Sequence, residues 1–213
     1  MIDLYTFGTP NGKKASIMLE EVGLAYNVHI INIMKDDQFA PDFLKISPNN
    51  KIPAIVDPDG PGGEPLALFE SGAILIYLAE KCAREDLLPT SGAERYAVMQ
   101  WLMWQMGGFG PMLGQAHHFL KFAKEDVPYA KKRYGAETAR LYKVLNAQLA
   151  DNAFMAGDVF SIADIATYPW ADRHPFHQID LADYPHVKRW YDKVSARESV
   201  EAGMNVPTPP PQA

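Results

Sequence analysis

Two short segments carry the residues best suited to chemistry. Asn50-Lys51-Ile52-Pro53-Ala54-Ile55-Val56 is a turn that meets a proline and enters an apolar strand, and Phe69-Glu70-Ser71-Gly72 precedes an apolar helical run. An X-Pro bond in a tight turn is a candidate cis site. Pro53 has no N–H, so Ile52 can turn its own N–H and C=O towards a ligand backbone. Glu70 and Ser71 set a carboxylate and a hydroxyl where a helix begins, beside backbone N–H groups that the helix cannot satisfy. A strand-like edge with an anion cradle and an acidic neighbour suits an amino-acid-like ligand bearing both an ammonium and a carboxylate. Either segment alone is explained by a proline that shapes a turn or a serine that caps a helix. Both in order, about seventeen residues apart, favour a peptide-like ligand.

The elements that must position these residues follow from periodicity and punctuation. Residues 2–7 read as a buried strand. Thr9 is a good N-cap and Pro10 suits the first helical position. Ala15, Met18, Leu19 and Val22 follow at helical spacing until Gly23 stops the run. A second strand is expected at 28–33, a short helix at 41–46, strands at 54–57 and 66–69 joined by a Pro/Gly-rich turn, and a helix capped by Ser71. The order βαβ, short helix, hairpin, helix predicts an α/β thioredoxin-like N-terminal domain over 1–86. After a linker at 87–93 the strand signals stop, and an all-α C-terminal domain is expected over 94–200. Its helices fall at 95–106, which Gly107-Gly108-Phe109-Gly110-Pro111 should kink or interrupt, at 129–149, after the capping-box-like Ser161/Asp164 pair, and from Pro185 to Val194. A loose Pro-rich tail is expected at 201–213.

Composition narrows the class. The 213 residues are 47% hydrophobic, enough for a sizeable core, and no stretch approaches the ~20 apolar residues of a membrane span. A net charge of −6 argues against a nucleic-acid partner, for which a basic stripe would be expected. The single cysteine, Cys82, excludes a disulfide framework, and the N-terminus lacks secretory-signal features, so a soluble cytoplasmic protein is expected.

In a thioredoxin-like domain the first helix N-terminus is the reactive position, because its positive end stabilises a thiolate. Thr9-Pro10-Asn11-Gly12 stands there without a cysteine. If the domain does thiol chemistry, the sulfur must arrive with the ligand, and a cysteine-containing peptide such as glutathione meets that need together with the Ile52/Glu70/Ser71 edge. The magnitudes are adequate. Lowering a thiol pKa by about two units needs roughly 2.7 kcal/mol. A helix N-terminus gives about 0.3–1 kcal/mol, occasionally ~2, and one hydrogen bond to a charged acceptor roughly 1.5–3 kcal/mol. The Asn11 backbone N–H or amide, with the Thr9 hydroxyl, could donate that bond. Tyr5, near the end of the first strand, is the rival activator; Asn11 is preferred.

These residues resemble the glutathione transferase superfamily and, within it, the bacterial Nu class. The similarity runs from Met1 to about Ser195. It is carried by Thr9-Pro10-Asn11-Gly12, Ser47-Pro48-Asn49-Asn50-Lys51-Ile52-Pro53-Ala54-Ile55, Leu68-Phe69-Glu70-Ser71-Gly72-Ala73-Ile74, the run from Trp104 to Gln115, and Tyr129-Ala130-Lys131-Lys132-Arg133-Tyr134. The resemblance implies a homodimer whose subunits each bind glutathione, reduced or as its disulfide, and which acts on a small-molecule disulfide or electrophile. It implies Thr9 and Asn11 nearest the sulfur, Ile52 with Pro53 against the cysteinyl backbone, and Glu70 and Ser71 at the γ-glutamyl end. It also implies Gln38 at the glycyl side or a second glutathione, and Arg133 reaching towards a carboxylate. The leading expectation is a glutathione-dependent disulfide-bond oxidoreductase. A conjugating transferase and a non-catalytic glutathione-binding regulator are the alternatives.

Other candidates read as structural. His117-His118 has no third ligand at a recognisable spacing, so no metal is expected. Cys82 ends a helix far from Thr9 in sequence. Trp101 and Trp104 read as packing residues, with some of that surface available for a dimer interface.

Overall fold

A computed structural model describes residues 1–207; the end of the expected tail, from Thr208 on, lies outside the described residues. The chain divides into two units: Met1–Arg84 together with the chain from Arg197 onward, and Glu85–Ala196.

The first unit is built on a four-stranded sheet. Its strands are β1 (Ile2–Thr6), β2 (Tyr26–Ile30), β3 (Ala54–Asp57) and β4 (Leu66–Phe69), in the order β2-β1-β3-β4. β1 runs parallel to β2 and antiparallel to β3, and β3 is antiparallel to β4. The helices are α1 (Pro10–Val22), α2 (Pro41–Ile46) and α3 (Ser71–Lys81). Leu4, Ile17, Ile55, Ile74 and Leu78 form the core at full burial. α1 begins and ends as expected: the Thr9 hydroxyl accepts from the Gly12 N–H at 3.2 Å, and Gly23 closes the helix at φ 69°. β2 starts and stops earlier than expected, because its pairing with β1 runs from Tyr26 to Ile30 and the chain then turns at Asn32.

The first unit also contains α9 (Glu198–Met204), helical where the expected tail would begin. Its packing explains the difference. Val200 and Gly203 are buried, the Ser16 hydroxyl donates to the Gly203 carbonyl at 2.7 Å, and Arg197 pairs with Glu21 at 2.7 Å. Lys13 Nζ donates to the Val206 carbonyl at 2.9 Å.

The second unit is helical: α4 (Gly92–Trp104), α5 (Gly110–His117), α6 (Pro128–Gln148), α7 (Ile162–Ala171) and α8 (Pro185–Ser195). The expected linker belongs to it, with Leu87 and Leu88 buried and the Leu87 carbonyl accepting from the Ile162 N–H. Gly107 and Gly108 do not break the chain. It stays helical through a π-helical turn, Gln105–Phe109, since residues without side chains pass a widened turn without crowding. The Ser161/Asp164 capping box is present, and Asp164 also accepts from the Met155 N–H and from Trp190 Nε1.

Candidate functional site

Sheet register assembles the site. Tyr5 on β1 lies opposite Ala54 on β3, and Ala54 lies opposite Phe69 on β4. The residues just beyond these positions are therefore neighbours at one end of the sheet. They are the loop to Thr9 after β1, Ile52-Pro53 before β3, and Glu70 after β4. Three sequence-distant segments meet because antiparallel pairing aligns the end of one strand with the start of the next.

At the first of these, Thr9 is extended (φ −106°, ψ 160°) and its oxygen accepts from Gly12, which leaves the hydroxyl proton to donate outward. Asn11 is the second residue of α1, half-buried in the turn whose N–H groups point out of the helix end. Gly12 is a site residue that the sequence reading did not single out. A Cβ there would lie 2.2 Å from the Phe7 carbonyl and 2.5 Å from Thr6 Oγ1, so only glycine lets the helix start this close to β1.

The Ile52-Pro53 peptide is cis, and Ile52 lies outside the ladder, which begins at Ala54. The turn before it is held by the Ser47 hydroxyl donating to the Lys51 carbonyl at 2.8 Å and by the Asn50 N–H donating to Ser47.

Glu70, not Ser71, is the N-cap of α3, and its side chain makes no capping hydrogen bond. Ser71 is the first helical residue and is buried. The serine expectation misplaced the cap by one residue because the backbone turns at Glu70, at φ 72° and ψ 110°. A non-glycine residue held there costs about 1–3 kcal/mol, a strain that tends to mark ligand clamps. The residue is exposed.

Lys14 was also missed. It is 1% exposed, and burial pushes its ammonium down to about 7, opposed by the charge of Glu70. Lys14 stands in helical phase with Ile17 and Met18, on the stripe that α1 buries, but beside Lys13 nothing local sets it apart from a surface lysine.

Gln38 lies in a 3₁₀ turn with its amide nitrogen 3.4 Å from Asp36, and its Oε1 is buried without a hydrogen-bond partner. Arg133 is exposed on α6, in the second unit. The Tyr5 ring stacks on His29 with centroids 4.6 Å apart and lies near Phe43. Burial, then Asp3, raises its pKa. Cys82 follows α3 at the end opposite Glu70, about 18 Å away at 1.5 Å per residue, and burial raises its thiol pKa. His117 stacks between Phe122 and Phe176, and no group of three metal-ligating residues occurs among the described residues.

The chain as a whole has close relatives. The glutathione S-transferase N-terminal domain model matches residues 9–81 and the C-terminal domain model residues 109–198. Disulfide-bond oxidoreductase YfcG of Escherichia coli (strain K12) is 53% identical over 198 residues, 92% of this chain and 91% of that protein. Disulfide-bond oxidoreductase YghU of the same strain is 40% identical over 221 residues, 96% of this chain and 74% of that protein. A glutathione transferase from Burkholderia graminis, crystallised with two glutathione molecules per subunit, matches with a TM-score of 0.91. It is 45% identical and covers 98% of this chain and 89% of its own. One from Pseudomonas putida, with one glutathione disulfide per subunit, matches at 0.90 and 45% identity, covering 97% of this chain and 91% of its own. Matched in both its sheet-bearing and its helical unit, the chain belongs to the glutathione S-transferase family.

Proposed function

We propose that the protein is a glutathione-dependent disulfide-bond oxidoreductase. The observation that carries this reading is a thiol-stabilising helix end at Thr9 and Asn11 whose own unit has its cysteine at the far end of α3. The reacting sulfur is then glutathione's. Asn11 and the Thr9 hydroxyl donate to its thiolate, the Ile52-Pro53 edge pairs with the cysteinyl backbone, and Glu70 with Ser71 holds the γ-glutamyl group. Gln38 and Arg133 serve the glycyl end or the carboxylates of a second glutathione.

The chemistry balances with two glutathiones. The first thiolate attacks a disulfide, forming a mixed disulfide and expelling one substrate thiolate, which takes up a proton. A second glutathione thiolate then attacks the glutathione sulfur of that mixed disulfide and expels the other substrate thiolate. The substrate gains two electrons and two protons, and glutathione leaves as its disulfide. Relatives with two glutathiones or one glutathione disulfide per subunit support this order of events, as do the names of the two Escherichia coli relatives.

The protein is also proposed to be cytoplasmic and a homodimer. Exposed Tyr96 and Met103 lie on α4 beside the Trp101–Trp104 ring pair, and sedimentation velocity tests the dimer. Among the described residues no helix is long and apolar enough to cross a membrane. The decisive assay pairs reduction of a small soluble disulfide, coupled to glutathione reductase, with conjugation of glutathione to an aryl halide. Fast reduction with slow conjugation is expected. The reverse makes the protein a conventional transferase, and tight glutathione binding with neither activity makes it a regulator.

A further inference from the structure

Asn11-Gly12 is the one Asn-Gly pair in the chain, and its asparagine is a proposed donor to the thiolate. Asn-Gly is the dipeptide most open to self-deamidation, because glycine has no side chain to screen its backbone nitrogen from the neighbouring amide carbon. A bulkier residue would suppress the reaction, but the fold refuses one. A Cβ on Gly12 would lie 2.2 Å from the Phe7 carbonyl oxygen and 2.5 Å from Thr6 Oγ1. The chain must keep this pair and restrain it another way.

The restraint is the helix cap. Gly12 is the third residue of α1, and its N–H is among those that no carbonyl of the helix can reach. It donates instead to the Thr9 hydroxyl at 3.2 Å. The next N–H, that of Lys13, reaches the Thr9 carbonyl at 3.0 Å, so regular helix bonding takes over one residue beyond the pair. Ring closure requires the Gly12 nitrogen to lose its proton and the backbone at Asn11 to leave the helical conformation. Both need the Thr9 bond to open, a local event that does not unfold the domain.

We propose that Asn11-Gly12 is a self-modification site and that the Thr9 hydroxyl is its guard. In the reaction the Gly12 nitrogen bonds to Asn11 Cγ, and the side-chain nitrogen leaves as ammonia, taking up the Gly12 proton. Water then opens the cyclic imide to an aspartate or isoaspartate in place of Asn11. No oxidant or reductant is needed. The consequence for activity rests on the glutathione reading: the product replaces a donor to the thiolate with a negative charge, so a modified site is switched off.

The test incubates the parent, Thr9→Ser and Thr9→Val at neutral pH without ligand. Peptide mass spectrometry of the segment around Asn11 reads the exchange of amide for acid. Thr9→Val lacks the acceptor oxygen and should deamidate about two- to thirtyfold faster than the parent, the factor that a lost threonine cap is worth. Thr9→Ser keeps the oxygen and should match the parent. Equal rates in Thr9→Val and the parent overturn the guard. Hydrogen exchange on the parent decides the matter even if a variant fails to fold. The Gly12 N–H should exchange more slowly in the native protein than in the same segment as a free peptide, and equal exchange overturns the guard as well. Turnover is read separately on Asn11→Asp, which should lose at least as much disulfide-reductase activity as Asn11→Ala. Full activity there overturns the thiolate-donor reading and the switching-off with it, while the guard is judged by mass alone.

Discussion

Gly203 on α9 sits so close to Ile17 on α1 that a methyl group added to it would lie 2.4 Å from the Ile17 Cα. The neighbour is backbone and cannot swing aside, so the two helices must separate. Gly203→Ala is therefore expected to destabilise the first unit by about 1–3 kcal/mol, the usual cost of overpacking. Urea denaturation of the variant against the parent measures it. A variant as stable as its parent would show that α9 is held by its polar contacts to Ser16, Lys13 and Glu21 alone.

Asn11→Ala removes one proposed donor to the glutathione thiolate. A bond to a charged acceptor is worth roughly 1.5–3 kcal/mol, so disulfide-reductase turnover should fall about ten- to hundredfold. Cys82→Ala should leave turnover near the parent value, because that thiol lies at the wrong end of α3 and burial disfavours its thiolate. Equal loss in the two variants, or a greater loss from Cys82→Ala, sinks the mechanism.

Glu70→Gln keeps the shape of the side chain and removes its charge. The dissociation constant for S-methylglutathione should rise about ten- to hundredfold, the worth of a charge-assisted hydrogen bond. Its analogue lacking the α-amino group should lose much less. If both ligands weaken alike, Glu70 acts on the backbone turn and not on the ammonium.

His177 makes the second unit sensitive to acid. The ring is 3% exposed, neither nitrogen has a hydrogen-bond partner, and its pKa is pushed down to about 3 by burial first and then by His117, His174 and Arg173. The unfolded chain takes up a proton below about 6.5 that the folded state refuses, so stability is lost as pH falls from 6.5 towards 3. The slope is about 1.4 kcal/mol per pH unit. Between pH 6.5 and 5 the parent should lose roughly 2 kcal/mol more than His177→Leu does, read from denaturation curves at both pH values. Parallel losses would mean that the protonated ring is accommodated.

Much of the site was legible because its parts announce themselves locally. Thr9-Pro10 and Gly23 bracket α1 by capping chemistry, and Ile52-Pro53 declares a turn. Lys14 and Gly12 escaped for a different reason: their roles are tertiary. Lys14 reads as one of two adjacent surface lysines until the helix is packed, and Gly12 reads as a weak helix former until β1 arrives beneath it. Glu70 was found but given a neighbour's geometry, since a positive φ at a non-glycine residue has no local signature. α9 was lost to its proline-rich surroundings, because two buried residues in seven, one of them a glycine, make too short a pattern to separate from coil.

Asp164 shows the same division. The capping box with Ser161 could be read from spacing, but the bonds from Met155 and Trp190 could not. Asp164→Ala should cost the second unit about 3–5 kcal/mol, well above the ~1 kcal/mol of a lost cap, because it strands several buried donors at once. A loss near 1 kcal/mol in thermal or chemical unfolding would reduce the residue to a cap.

The return of α9 to α1 separates the order of synthesis from the order of completion. The unit whose sheet leaves the ribosome first keeps one face of its first helix uncovered until the whole helical unit has been made, roughly 5–20 s later at ordinary elongation rates. During that interval Ile17, Ser16 and Lys13 face solvent or whatever else occupies their surface. A nascent chain stalled before Arg197 should therefore be cut within α1 by a protease that spares the released protein.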